Sequence, residues 1–220
     1  MIHKKITYVN EDGFEFTFEP IEETLKIKKT KKGFEARYLT PDLDPRSPDE
    51  DKDVGLFLVG YHNDFFVDRA DVLTKQQCVN LFTYPKELEE DDVAWVRDFK
   101  KQYHIFGLEA YIHSGVSLAL SHEGNFPDRQ WDVSQLGAIF ASKKEWKNRR
   151  KAKKSVLSLI SSWNQYLSGD VYAIVKDTYD EKKLVNNDAV WGYYGKEEAE
   201  EGLKVELNNT YHYIQKKIKK

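Results

Sequence analysis

Residues 111–142 read YIHSGVSLALSHEGNFPDRQWDVSQLGAIFAS, and this stretch decides the predicted fold. Its two apolar runs, VSLAL and LGAIFA, have the length and composition of strands. Polar side chains lie beside these runs: His113 and Ser114 precede the first, and Asp132 and Gln135 precede the second. Buried strands accept such side chains only where each finds a partner. We therefore expect a polar cluster at this point of the molecule.

Composition narrows the class of protein. The chain has 220 residues, of which 40% are hydrophobic and 32% charged, with a formal net charge of -3. That balance favours a solvated globular protein over a nucleic-acid binder or an acidic DNA mimic. The single cysteine, Cys78, excludes an intrachain disulfide and a cysteine-based zinc cage, and favours a reducing cytosol. Apolar runs such as VGLFLVGY are too short to cross a bilayer, so we expect no membrane contact.

The order of strand-like and helix-like segments predicts the architecture. Residues 1–40 have the alternation and turn signals of an N-terminal β-meander, and 41–53 form an acidic, proline-rich loop. The remaining residues, 54–220, hold the core. We predict an α+β fold, a single domain over 1–220, with a mostly antiparallel sheet and three to four helices packed on it.

Three apolar segments, 111–121, 136–141 and 171–176, are expected to share one sheet. Two capping-box signatures predict helix starts. Thr74 with Gln77 indicates a helix over 75–82, and Ser142 with Glu145 indicates one that begins at 143. The apolar stripe of this second helix comprises Val156, Ile160, Trp163 and Leu167.

No standard catalytic signature is present, whether P-loop, HExxH, GxSxG or Rossmann glycine pattern. His113 and Asp132 could meet across the sheet, and His62 and Asp53 could join them in a cluster of two histidines and two carboxylates. These four are the candidate catalytic residues. In the alternative interpretation, each of them caps a strand end or satisfies backbone groups. No close-spaced ligand pair supports a metal, so no metal or cofactor is predicted.

The segment 143–154, KKEWKNRRKAKK, has eight basic residues and one acidic residue, a local charge of +7. Such a run could contact phosphates or an acidic protein surface, although a solvated helix flank is the interpretation we favour. The candidate binding residues are Lys143, Lys144, Lys147, Arg149, Arg150, Lys151, Gln135, Trp131 and Trp191.

Four ordered motifs, YIHSG, WDVSQLGAIFAS, NQYLSGDVYAIV and DAVWGYYG, resemble a family of small proteins encoded by bacteriophages, prophages and plasmids. The resemblance covers roughly residues 45–200. This chain has Val133 and Ser134 where the family pattern has Ser-Gly, and Val190 where it has Cys. The resemblance carries no catalytic assignment. It implies an accessory protein of a mobile genetic element, working in the cytosol of a bacterial host cell.

Three functions remain open at this point. The first is an accessory protein that binds a host or defence-system protein. The second is a small hydrolase or nucleotide-handling enzyme built on the His/Asp cluster, which would need those groups to converge in a concave pocket. The third, which is less favoured, is a nucleic-acid contact through the basic helix at 143–154.

Overall fold

The α+β class is confirmed by a computed structural model, which describes residues 5–21, 24–48, 55–62, 65–67, 72–127 and 129–207. These residues contain eleven strands in three antiparallel sheets and five α-helices. Contacts divide the chain into two compact units, one of Ser47–Ser168 and one of the residues before and after it. The single domain over 1–220 stays a prediction.

The unit formed by Ser47–Ser168 is a helix–sheet–helix sandwich. Its strands are β5 (Leu56–His62), β6 (Phe65–Val67), β7 (Tyr103–Ile112), β8 (Val116–Leu120) and β9 (Val133–Ser142), in the order β6-β5-β9-β7-β8. Its helices are α1 (Lys75–Asn80), α2 (Glu90–Gln102), α3 (Arg129–Asp132) and α4 (Arg149–Ser168), with a 3₁₀ turn at Pro85–Glu87.

Strand β9 is central because both of its faces are buried. Its apolar run LGAIFA is buried at every position, as a continuous apolar run predicts. Ile139 and Ala141 pack in the core beneath α4, whereas Ala138 and Phe140 pack in the core beneath α1 and α2. Gly137 permits the close approach of β5, since an added Cβ would lie 2.2 Å from the carbonyl oxygen of Val59.

The predicted start of the long basic helix is wrong. Helix α4 begins at Arg149, and the side chain of Asn148 accepts hydrogen bonds from the backbone N–H groups of Arg150 and Lys151 at 2.8 and 3.1 Å. Ser142 instead ends β9, where its N–H donates to the carbonyl of Gly55 at 2.7 Å. Strand pairing therefore outweighs the local capping signature. The predicted stripe is confirmed at its three buried positions, Val156, Ile160 and Trp163.

The other unit holds a second sheet and a hairpin. Its strands are β1 (Ile6–Val9), β2 (Glu15–Phe18), β3 (Lys26–Lys29), β4 (Gly33–Pro41), β10 (Val171–Asp180) and β11 (Lys183–Tyr194), and its helix is α5 (Lys196–Leu207). β1 and β2 pair with each other, and the larger sheet has the order β11-β10-β4-β3. Ala199 and Leu203 of α5 cover one face, and the aromatic rings of Phe16, Phe18 and Phe34 belong to a second core.

The structure confirms one expectation about this unit and contradicts another. The strands of the predicted N-terminal meander are confirmed, although β4 extends to Pro41 and so shortens the loop predicted at 41–53. The expectation that 171–176 shares a sheet with 111–121 and 136–141 is wrong. β10 pairs with β4 in nine successive positions, and β9 has no free side because β5 and β7 flank it.

Candidate functional site

The polar cluster predicted around residues 111–142 lies at the β7–β8 end of the sheet in the Ser47–Ser168 unit. Glu109 and Tyr111 lie opposite Gln135 and Val133 of β9 and share one face of the sheet, since side chains alternate along a strand. Helix α3 and the segment that precedes it run beside this face. His113, Asp132 and Gln135 therefore border the neighbouring strands β7 and β9, as expected for these three residues.

The predicted pairing of His113 with Asp132 is confirmed, whereas their predicted burial is wrong. The Nδ1 atom of His113 lies 3.5 Å from the Oδ2 atom of Asp132. That distance exceeds an ordinary hydrogen bond, so the two groups are close neighbours without a direct hydrogen bond. The side chains are 66% and 29% exposed, respectively. β7 ends at Ile112, so His113 belongs to the Ser-Gly turn that follows. There the backbone N–H of His113 donates to the carbonyl of Gly115.

Aromatic stacking holds the His113 ring in place. The ring stacks on Tyr111 with centroids 6.1 Å apart, and Tyr111 stacks on Phe126 at 5.6 Å. Trp131, one residue before Asp132, is 79% exposed. This arrangement positions an imidazole beside a carboxylate at an open surface, where water screens their interaction. Proton transfer to a desolvated substrate needs a more enclosed setting.

Glu109 and Arg129 form the strongest polar interaction of the cluster. The guanidinium donates to both carboxylate oxygens, at 2.9 and 2.7 Å, and the backbone N–H groups of His122 and Gly124 donate at 2.9 and 3.2 Å. The Glu109 side chain is only 4% exposed. Burial alone would raise the pKa of Glu109, but the hydrogen bonds from Arg129, His122 and Gly124 outweigh it and hold the pKa below its ordinary value.

This ion pair explains how the segment between β8 and α3 is held. An ionised carboxylate has about four acceptor positions, and four donors reach Glu109. Glu109 therefore anchors a loop and has no lone pair left for acid–base chemistry. Our sequence reasoning missed the pair. The available signal was a glutamate enclosed by the apolar strand residues of YHIFGLEAYI, which requires a buried partner.

Gln135, a predicted binding residue, is bonded within the sheet. Its Nε2 donates to the carbonyl of Leu108 at 3.0 Å and to Oγ of Ser121 at 2.8 Å. Leu108 lies at the register shift between β7 and β9, and Gln135 bonds its carbonyl at this irregularity.

Of the other two predicted catalytic residues, only His62 lies within the described ranges. His62 is the last residue of β5, where it lies opposite Phe65 of β6. Asp53 lies outside the described residues. Within the ranges that the structure describes, no three His, Cys, Asp or Glu side chains form a group able to hold a metal.

The basic segment divides into two groups. Lys144, Lys147, Arg150 and Lys151 are exposed, as expected for a solvated flank. Arg149 is also exposed, but its guanidinium donates to the carbonyl of Ile105 in β7, and the half-buried Lys143 donates to the carbonyl of Lys100 in α2.

A second candidate surface is the outer edge of β11 in the other unit. Among the strands that the structure describes, β11 pairs with β10 alone and ends the sheet. Trp191, a predicted binding residue, is 57% exposed. The further large apolar side chains exposed on this strand are Leu184, Val185 and Val190. We call this surface the β11 edge.

Comparison of the chain with protein-family models, with curated proteins and with solved structures found no match. Among the helices in the described ranges, none is long and apolar enough to cross a membrane.

Proposed function

We propose that this protein acts by binding another protein, and that the β11 edge receives an extended segment of that partner as an additional strand. The observation that carries the proposal is the exposure of a 12-residue edge strand with four large apolar side chains. An edge strand presents backbone N–H and C=O groups that another strand can satisfy. Exposed apolar side chains beside them add area that binding would remove from water.

On the β11 edge, the features that protect natural edge strands from pairing are two bulges near its ends and the charges of Lys183 and Asp188. Residues 183–194 include no proline and only one lysine, at position 183. Two β-bulges interrupt the strand, one at Val185 and one at Trp191–Gly192. Between them, Asn186–Val190 pairs regularly with β10. Five residues are about the common length of a strand, so this window is long enough for one more strand to pair.

Charge favours a different protein as the occupant over a second copy of this chain. Asp188 is exposed and lies at the centre of the regular window. Antiparallel pairing of two copies over the whole window would place the two Asp188 carboxylates opposite each other, and like charges directly opposite are destabilising. A partner segment with a basic residue opposite Asp188 avoids this cost.

The proposed context is a mobile genetic element. The ordered motifs that resemble phage, prophage and plasmid proteins support an accessory protein that works in the bacterial cytosol on a host or defence protein. One of those motifs, DAVWGYYG, overlaps the β11 edge. The hydrolase alternative has less support, because the His113–Asp132 pair is exposed and Glu109 is fully hydrogen-bonded.

The test is affinity capture from a bacterial lysate with and without nuclease treatment, using the wild type and two matched variants. Val190→Lys places a charge at the β11 edge, whereas Val205→Lys makes the same change at an exposed position of α5. We expect a defined host protein to be retained by the wild type and by Val205→Lys, and to be lost with Val190→Lys. Equal retention by all three proteins, or loss of the captured material on nuclease treatment, would contradict the proposal.

Sedimentation of the purified chain tests separately whether a second copy of this chain occupies the β11 edge. We expect a monomer. A dimer that Val190→Lys dissociates would identify a second copy as the occupant and contradict the proposed partner.

A further inference from the structure

A basic cleft lies in the Ser47–Ser168 unit, where the end of α2, the start of β7 and the segment before α4 meet. Its volume is about 270 Å³. The residues that line it are Lys100, Tyr103, His104, Ile105, Lys143 and Arg149. Three of these six carry a permanent positive charge, and none carries a carboxylate.

The three cations have no carboxylate partner in the part of the chain that the structure describes. The nearest ion pairs in sequence join Lys101 with Asp98 and Lys153 with Glu123, and neither includes a residue of the cleft. Like charges around one cleft repel each other, and a bound anion would relieve that repulsion. The cleft is therefore complementary to a small, negatively charged group.

Two of the cations are held in position before any ligand binds. Lys143 Nζ donates to the carbonyl of Lys100 at 2.6 Å, and Arg149 Nη2 donates to that of Ile105 at 2.9 Å. The Arg149 guanidinium also lies 4.3 Å from the centre of the Phe106 ring. An ammonium has three N–H donors and a guanidinium has five, so one bond each leaves donors for a ligand. Anchoring also reduces the side-chain entropy that binding would cost.

A purely structural role accounts for part of this arrangement. Lys143 satisfies a carbonyl in the last turn of α2, where a cation is favourable. The bond from Arg149 to the carbonyl of Ile105 has a similar role in β7. These roles explain neither the presence of Lys100 at the same cleft nor the lack of a carboxylate among its lining residues.

We propose that this cleft binds a phosphate group. Pockets for drug-sized ligands span roughly 300–1,000 Å³, so a cleft just below that range suits a small group. The planar fork of an arginine matches phosphate oxygens, and lysines add point charges around it. The inference does not rest on the β11 edge, and either can fail without the other.

The test is a titration of the full-length protein with inorganic phosphate, followed by NMR shifts of backbone amides at constant ionic strength. We expect saturable shifts confined to residues near 100–106 and 143–150. Arg149→Gln should weaken binding by about tenfold or more, because it removes a charged hydrogen-bond donor. Arg150→Gln is the matched control, since it makes the same change in net charge at a neighbouring residue outside the cleft. It should alter the affinity less than about twofold.

A second variant tests the cleft in case Arg149→Gln does not fold. Lys100→Gln removes a cleft charge at an exposed side chain without touching either carbonyl anchor, and should also weaken binding. Shifts that never saturate, or equal weakening by Arg149→Gln and Arg150→Gln, would overturn the proposal. Competition by adenosine monophosphate would identify a small phosphorylated molecule as the source of the phosphate. Competition by a short oligothymidylate would identify a nucleic-acid backbone. Both results support the site.

Discussion

Arg129 donates two hydrogen bonds to the buried carboxylate of Glu109, at 2.9 and 2.7 Å, and so connects helix α3 to strand β7. The same carboxylate receives the backbone N–H groups of His122 and Gly124. One acidic side chain thus fixes both the loop and the helix that position Asp132. The polar surface beside His113 depends on this anchor.

Replacing Glu109 tests the importance of the anchor. Glu109→Gln keeps the size of the side chain but removes its charge, and hydrogen bonds to charged groups contribute about 1.5–3 kcal/mol. We expect the free energy of unfolding at neutral pH to fall by about this amount, as measured by urea denaturation. Asp98→Asn, at the exposed pair with Lys101, is the control and should change stability little. Equal effects of the two substitutions would contradict the anchoring role.

The stability conferred by Glu109 should depend on pH in a defined direction. Its pKa is lower in the folded protein than in the unfolded chain, so the native state favours the ionised form. The contribution is therefore present above the unfolded pKa, near 4.3, and is lost as the pH falls through the folded pKa. Denaturation of the wild type and Glu109→Gln at several acidic pH values should show their stabilities converging as the pH decreases. A constant difference would contradict the pKa assignment.

The pair of His113 and Asp132 should contribute little to stability. The two groups are 3.5 Å apart and the imidazole is mostly exposed, and such pairs typically contribute under about 1 kcal/mol. We expect His113→Ala and Asp132→Asn each to change the melting temperature by no more than a few degrees. A large loss of stability in either variant, measured by calorimetry, would show that the pair is more enclosed than its exposure indicates.

Cys78 should be unreactive in the native protein. The side chain is buried, and burial raises the pKa of the thiol to about 11, so little thiolate forms near neutral pH. We expect negligible reaction with a thiol reagent at pH 8 and complete reaction after addition of denaturant. Rapid labelling of the folded protein would contradict this burial.

The two capping-box signatures show why the sequence predicts helix starts only in part. At Thr74 and Gln77 both reciprocal hydrogen bonds form, and α1 begins as predicted. The same signature at Ser142 and Glu145 does not start a helix, because the backbone of Ser142 pairs across the sheet with Tyr103. Local patterns hold where no strand competes for the same backbone groups. Long-range pairing, which a single sequence does not reveal, decides the other cases.

The polar cluster, like the helix starts, was predictable from the sequence only in part. Spacing and residue type were sufficient to bring His113 and Asp132 together, since both border strands of one sheet. Their exposure depends on a turn and on the packing of α3, and neither can be deduced from residue order. The pairing of Glu109 with Arg129 joins a strand to a helix 20 residues further along the chain. It follows from the fold, although an acidic residue within an apolar strand was a signal that a partner existed.

The most direct test of the proposed function is hydrogen–deuterium exchange of the captured complex, compared with the free protein. If a partner segment adds to the sheet, backbone amides within Asn186–Val190 that face away from β10 gain hydrogen-bond partners and should exchange more slowly. We predict increased protection in this window and unchanged exchange in α5. A stable complex with unchanged exchange at Asn186–Val190, and new protection elsewhere, would contradict binding through the β11 edge.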